Sequence, residues 1–112
     1  MNGIDERRTS RRIPVTFRAS FSPLTATAGT REGTIVDLAP EGCRLETARF
    51  VPVTTYLELR LEVSLHEPPI VVDLATVRWA LGNHLGIAFL SLETQHLARL
   101  QRIVEQAQLG DE

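Results

Sequence analysis

From Tyr56 to Leu65 the sequence alternates without a break. Leu57, Leu59, Leu61, Val63 and Leu65 share one parity, and Tyr56, Glu58, Arg60, Glu62 and Ser64 share the other. Period two is the repeat of a β-strand with one buried face, because successive side chains point to opposite sides of the pleat. A strand that is apolar on one side needs a second apolar layer to cover it. The same pattern recurs earlier, where Ile13, Val15, Phe17, Ala19 and Phe21 alternate with Pro14, Thr16, Arg18 and Ser20. Pro14 has no amide hydrogen to donate and so suits the start or edge of that strand.

The stretches between and after these two are read the same way. Residues 22–30 (SPLTATAGT) are small and turn-rich and predict a loop. Strands are predicted over Gly33 to Leu38 and Cys43 to Thr47, joined by the tight turn APEG, in which Pro40 restricts its own φ and Gly42 can take a positive one. HEPP, residues 66–69, ends the Tyr56 strand. Residues 70–80 are β-rich but change phase: Ile70, Val72 and Leu74 share one parity, and Ala75, Val77 and Trp79 the other. A bulge near residues 74–75 repairs that register. LGNH then turns into a last strand over residues 85–90. Beyond it Leu97, Leu100, Ile103, Val104 and Ala107 recur at helical spacing, with Ser91 as N-cap, Glu93 in the first turn and Gly110 as terminator. Six short strands followed by one helix predict a mainly β fold, a small six-stranded antiparallel barrel over residues 13–112, preceded by a flexible polar arm over residues 1–12.

Composition narrows the function. Hydrophobic residues make up 43% of the 112, enough for the core of one domain. All twelve basic residues are Arg, and the net charge is −2. That charge is uneven: residues 1–12 carry +2 and the remainder −4. A general nucleic-acid coat would need a broad basic surface. The single cysteine, Cys43, forms no internal disulfide, and it alternates in phase with Leu45 as a small buried hydrophobe rather than a nucleophile. His66, His84 and His96 have no ligand partner at metal spacing and read as exposed polar residues. With no secretory leader and no bilayer-length apolar run, the chain reads as a cytoplasmic protein that is not an enzyme and does not insert in a membrane.

Two motifs remain. Arg7, Arg8, Arg11 and Arg12 fall within six positions, directly before the first strand. Guanidinium groups donate in pairs to phosphate oxygens and to the O6 and N7 edge of guanine. The second motif is DLAPEG, in which Asp37 ends one strand and Gly42 begins the next. A carboxylate there can bond turn amides, or accept from the N1 and N2 donors of guanine.

Taken together, these motifs resemble the PilZ family, receptors for the bacterial second messenger cyclic di-GMP. The family is marked by Arg-x-x-x-Arg on an N-terminal arm and, 20–30 residues on, Asp/Asn-x-Ser-x-x-Gly on a barrel strand. RTSRR supplies Arg8 and Arg12, and DLAPEG supplies Asp37, Ala39 and Gly42. The resemblance runs from about residue 6 to 108 and implies a second-messenger receptor without a cofactor. In it Arg8 and Arg12 hold phosphate and guanine, Asp37 reads a guanine edge, and Ala39 and Gly42 line the floor. Arg7 resembles members that accommodate an intercalated pair of ligands, and Trp79 offers an aromatic face. Arg11 and Arg44 are left as solvated charges. The family's Ser is Ala39 here. Losing one neutral hydrogen bond costs about 0.5–1.5 kcal/mol, so weaker rather than abolished binding is expected.

The resemblance also implies a mechanism, in which ligand phosphates neutralise the arginines and fold the arm onto the barrel, changing the surface that a downstream protein meets. The expected state is a monomer or a ligand-dependent dimer, without DNA or RNA. A PilZ-like adaptor that no longer binds the dinucleotide is the main alternative. A single-strand-binding barrel is a third, for which aromatic residues, 5% of the chain, are few.

Overall fold

A computed structural model of the chain describes residues 12–25 and 29–110. Arg7, Arg8 and Arg11 lie outside the described residues, so of the arm's arginines only Arg12 is seen. Every alternating stretch forms a strand: β1 (Ile13–Pro23), β2 (Arg31–Ala39), β3 (Gly42–Glu46), β4 (Tyr56–Glu62), β5 (Ile70–Leu81) and β6 (His84–Ser91), followed by helix α1 (Thr94–Gly110). All pairings are antiparallel, and the sheet closes as β1-β2-β3-β6-β5-β4, with β4 returning to β1. Closure leaves no sheet edge.

The inward residues meet in one apolar cluster. Phe21, Ile35, Leu38, Leu45 and Leu57 are buried, as are Leu59, Leu61 and Val72. Helix α1 packs against β5, β2 and β1 and buries Leu100 and Val104 in the same cluster. A fully buried Leu of this kind contributes about 1.5–3 kcal/mol over an exposed one. His96 ties the helix down, its Nδ1 accepting the Val71 amide hydrogen at 3.2 Å. That corrects its reading as an exposed polar residue, since it is half-buried. His84, half-buried with a covered Nδ1, also departs from it, and His66 is exposed as expected.

Several local expectations fail for identifiable reasons. The alternation through Leu65 overruns the strand. Leu61 pairs with Ile70, which follows Pro68 and Pro69, so β4 has no partner on that side beyond this point. Leu65 is 98% exposed. Ser91 belongs to β6 rather than capping the helix. Glu93 is the residue whose carbonyl accepts from the His96 and Leu97 amides, so its carboxylate stands before the first turn and not within it. Gly110 is the last residue assigned to α1 rather than the first beyond it. The β2–β3 hairpin has Pro40 and Glu41 at its tip, but Gly42 does not take a positive φ. Its reason is space, since a Cβ there would stand 2.5 Å from the Ile87 carbonyl oxygen. Positive φ is used instead at Gly82, φ 60°, in the two-residue β5–β6 turn.

The bulge foreseen near residues 74–75 is present, and a second register shift falls between Val77 and Trp79. The second overturns the shared parity of Val77 and Trp79. Val77 is buried, while Arg78 and Trp79 are both exposed. Val77 is also pinned from the other side, where its amide donates to Thr55 O at 3.0 Å and its carbonyl accepts from the Thr54 amide at 2.8 Å.

Candidate functional site

Asp37 faces outward near the end of β2, after a register shift between Ile35 and Asp37 that re-aims the strand. Arg12, the residue immediately before β1, reaches it, with Nη1 donating to Asp37 Oδ1 at 2.7 Å. The two residues stand 25 apart in sequence. They meet because β1 and β2 are antiparallel, with Pro14 opposite Asp37. The Arg12 side chain is 52% exposed and that of Asp37 24%. An ion pair this open to water contributes at most about 1 kcal/mol, so an anion offering better geometry can displace the carboxylate.

Beside the pair is a groove of about 180 Å³ lined by Arg12, Glu41, Gly42, Arg78, Trp79 and the β6 residues Gly86, Ile87 and Ala88. It brings together Arg12, Gly42 and Trp79 from the sequence-predicted set. The floor is low because Gly42 pairs with Ala88, and the outward position paired with Arg44 is Gly86. Trp79 needs that glycine, since a Cβ on Gly86 would overlap its indole. The ring therefore lies across β6, 44% exposed. Asp37, Arg44, Gly86 and Trp79 are register partners in turn and form one row across four strands.

Ala39 is placed differently from Trp79 and Gly42. It has no exposed surface, so a ligand reaches it only after its cover moves. Cys43, paired with Leu38 and Ile87, is buried, and burial pushes its thiol far above the ordinary range; Arg12 lowers it and Asp37 raises it by smaller amounts. A thiol kept protonated is no nucleophile. Of the charged residues lining the groove, Glu41 and Arg78 were not foreseen. Arg44, which does not line it, is exposed. No sequence signal marked Arg78, because the bulge that sets it beside Trp79 depends on pairing with β6. Among the described residues there is no cluster of three or more metal-ligating side chains, and no helix long and apolar enough to cross a membrane.

A barrel of this topology has known counterparts. The family model for the PilZ domain matches residues 6–106. The chain is a PilZ domain. PilZ domains are binding and adaptor domains, and the family is one of cyclic di-GMP receptors. Among solved structures, the chain is similar to the PilZ domain of CeSA from a cellulose-synthesizing bacterium, at 17% identity and a TM-score of 0.68, over 88% of this chain and 99% of that one. It is also similar to the Bacillus subtilis inhibitor of motility, MotI/DgrA, at 11% identity and a TM-score of 0.74. That match covers 89% of this chain and 50% of the other. At such identities the likeness is one of fold. No curated protein matches the chain in sequence.

Proposed function

We propose that this PilZ domain is a cyclic di-GMP receptor that passes ligand occupancy to a partner protein through the segment carrying Arg8 and Arg12. The observation that carries the reading is the Arg12–Asp37 pair at the edge of the Gly42–Trp79 groove. Its parts match the ligand's chemistry. Arg12 offers donors to a phosphate, Asp37 accepts from guanine N1 and N2, and the Trp79 face stacks a base. In the free chain Arg12 and Asp37 satisfy each other. A bound ligand gives each a separate partner, and that exchange moves Arg12 away from the β2 carboxylate. Arg8 joins Arg12 on the phosphate and guanine, Arg7 takes part where two ligands bind, and Gly42 forms the floor, which Ala39 joins once its cover moves.

The groove is smaller than the roughly 300–1,000 Å³ usual for a small-molecule site. It therefore holds part of a dinucleotide, with the arginine-bearing segment completing the enclosure. A ligand-independent adaptor is the second reading, favoured by Ala39 in place of the family's Ser. Calorimetry with cyclic di-GMP, paired with quenching of Trp79, the chain's single tryptophan, separates the two. Saturable heat with quenching supports the receptor. Arg12→Ala then loses one charge-assisted contact, about 1.5–3 kcal/mol or roughly 10- to 100-fold in affinity. Asp37→Ala loses preference for cyclic di-GMP over cyclic di-AMP. A folded protein giving no heat at high micromolar ligand leaves the adaptor.

A further inference from the structure

The groove has a second arginine that does not belong to the N-terminal segment. Arg78 lies on β5, while Arg12 precedes β1, and between those strands the barrel runs through β2, β3 and β6. Both nevertheless line the same groove, with Gly42 and Gly86 between them. Arg78 reaches it because of the register shift between Val77 and Trp79, which leaves two consecutive side chains on the outer surface. The bulge is held in place, since Val77 is bonded through both its amide and its carbonyl to Thr55 and Thr54. Arg78 forms no ion pair with a described residue, in contrast to Arg12, which is engaged by Asp37. Glu41 also lines the groove but forms an ion pair with neither arginine. A guanidinium that no described carboxylate pairs, beside an aromatic face and above a floor of glycine, is suited to an anion whose organic part stacks on that face.

We infer that Arg78 is a phosphate-binding residue of the barrel wall, clamping one phosphate of the ligand across the groove from Arg12. This rests on the cyclic di-GMP reading and deepens it. The division of labour is physical. Arg12 must be released from Asp37 before it can serve, so its contribution is coupled to rearrangement. Among the described residues Arg78 has no carboxylate partner to leave, and it stands on a pinned strand, so it is available at first encounter and steers the anion into the groove. The target is phosphate rather than the guanine edge, because the adjacent indole takes the base by its face and leaves the anionic linkage within reach of the next side chain.

The full chain is titrated calorimetrically with cyclic di-GMP, using Arg78→Gln, Arg78→Lys and, as a control for net charge, Arg102→Gln on the exposed surface of α1. Arg78→Gln is expected to weaken binding about tenfold and to reduce its salt sensitivity. Lys keeps the point charge and should recover most of the affinity, whereas a bidentate contact to guanine would not tolerate it. Arg102→Gln should bind as the wild type. Arg78→Gln binding within twofold of wild type overturns the inference and leaves the receptor reading standing. An equal loss in Arg102→Gln overturns it in favour of a general charge effect. Lys binding as weakly as Gln overturns the assignment to phosphate. A folded wild type that gives no heat overturns both readings together.

Discussion

Substitution of Gly42 tests whether the glycine that begins β3 is there for space or for backbone conformation. A Cβ at this position would stand 2.5 Å from the Ile87 carbonyl oxygen, which is main chain of β6 and cannot swing aside. An ordinary carbon–oxygen contact is about 3.3–3.6 Å, so β3 and β6 must part by roughly an ångström. A bond across that junction, from the Phe89 amide to Glu41 O at 2.9 Å, would be stretched or lost. Overpacking costs about 1–3 kcal/mol and a lost hydrogen bond about 1. Reduced freedom of the unfolded chain returns about 0.4–1 kcal/mol. The expected net loss for Gly42→Ala is therefore about 1–3.5 kcal/mol, a large fraction of the 5–15 typical of a domain. In urea this is a midpoint shift of about 1–2 M at an m-value near 1.5 kcal/mol/M. Gly42→Asn is the discriminating variant. Asn tolerates positive φ better than Ala, so if conformation were the reason, Asn would be the milder change. Space predicts that it is no milder. At Gly82, with φ 60° and no atom within 4 Å of a built Cβ, the order should reverse and Asn should cost less than Ala. An Asn variant at Gly42 clearly more stable than the Ala variant, or a Gly42→Ala loss below 0.5 kcal/mol, would refute the steric argument.

Two further outcomes follow from the same site. Asp37→Asn removes an exposed ion pair and should change unfolding free energy by less than about 1 kcal/mol, while altering nucleotide selectivity in calorimetry; a large stability loss would mean that the pair is structural. Cys43 remains protonated in the folded chain and ionises near pH 8.5 once unfolded. Stability is thus unaffected below that pH and falls above it, by up to about 1.4 kcal/mol per pH unit. Urea midpoints for wild type and Cys43→Ala measured between pH 7 and 10 should diverge in that direction, and parallel curves would refute the burial argument.

What could be read from the sequence was whatever depends on residues near one another in the chain. Period-two alternation located the six strands, because the pleat enforces it within each strand independently. The Gly82–Asn83 turn and the α1 periodicity are local in the same sense. The order of the Arg and DLAPEG motifs indicated the family, since motif spacing is itself a property of the linear chain. The limits of β4 were decided elsewhere. Leu65 continues the alternation perfectly and is still fully exposed, because a strand ends where its neighbour ends.

The site shows the same division. Arg12, Asp37, Gly42 and Trp79 were each nameable in isolation, but only pairing in the order β1-β2-β3-β6-β5 sets Trp79 on Gly86 and both within one groove with Arg12. The bulge at Val77 is a mismatch between two strands and has no meaning in either strand alone. It turns Trp79 outward against its parity and presents Arg78 beside it. The role of Gly42 was likewise hidden, because its constraint is a carbonyl 45 positions further along the chain. The sequence by itself determined the elements and their chemistry. Which side chains share a surface was decided by cross-strand register, a property of pairs of strands that no single stretch of sequence carries.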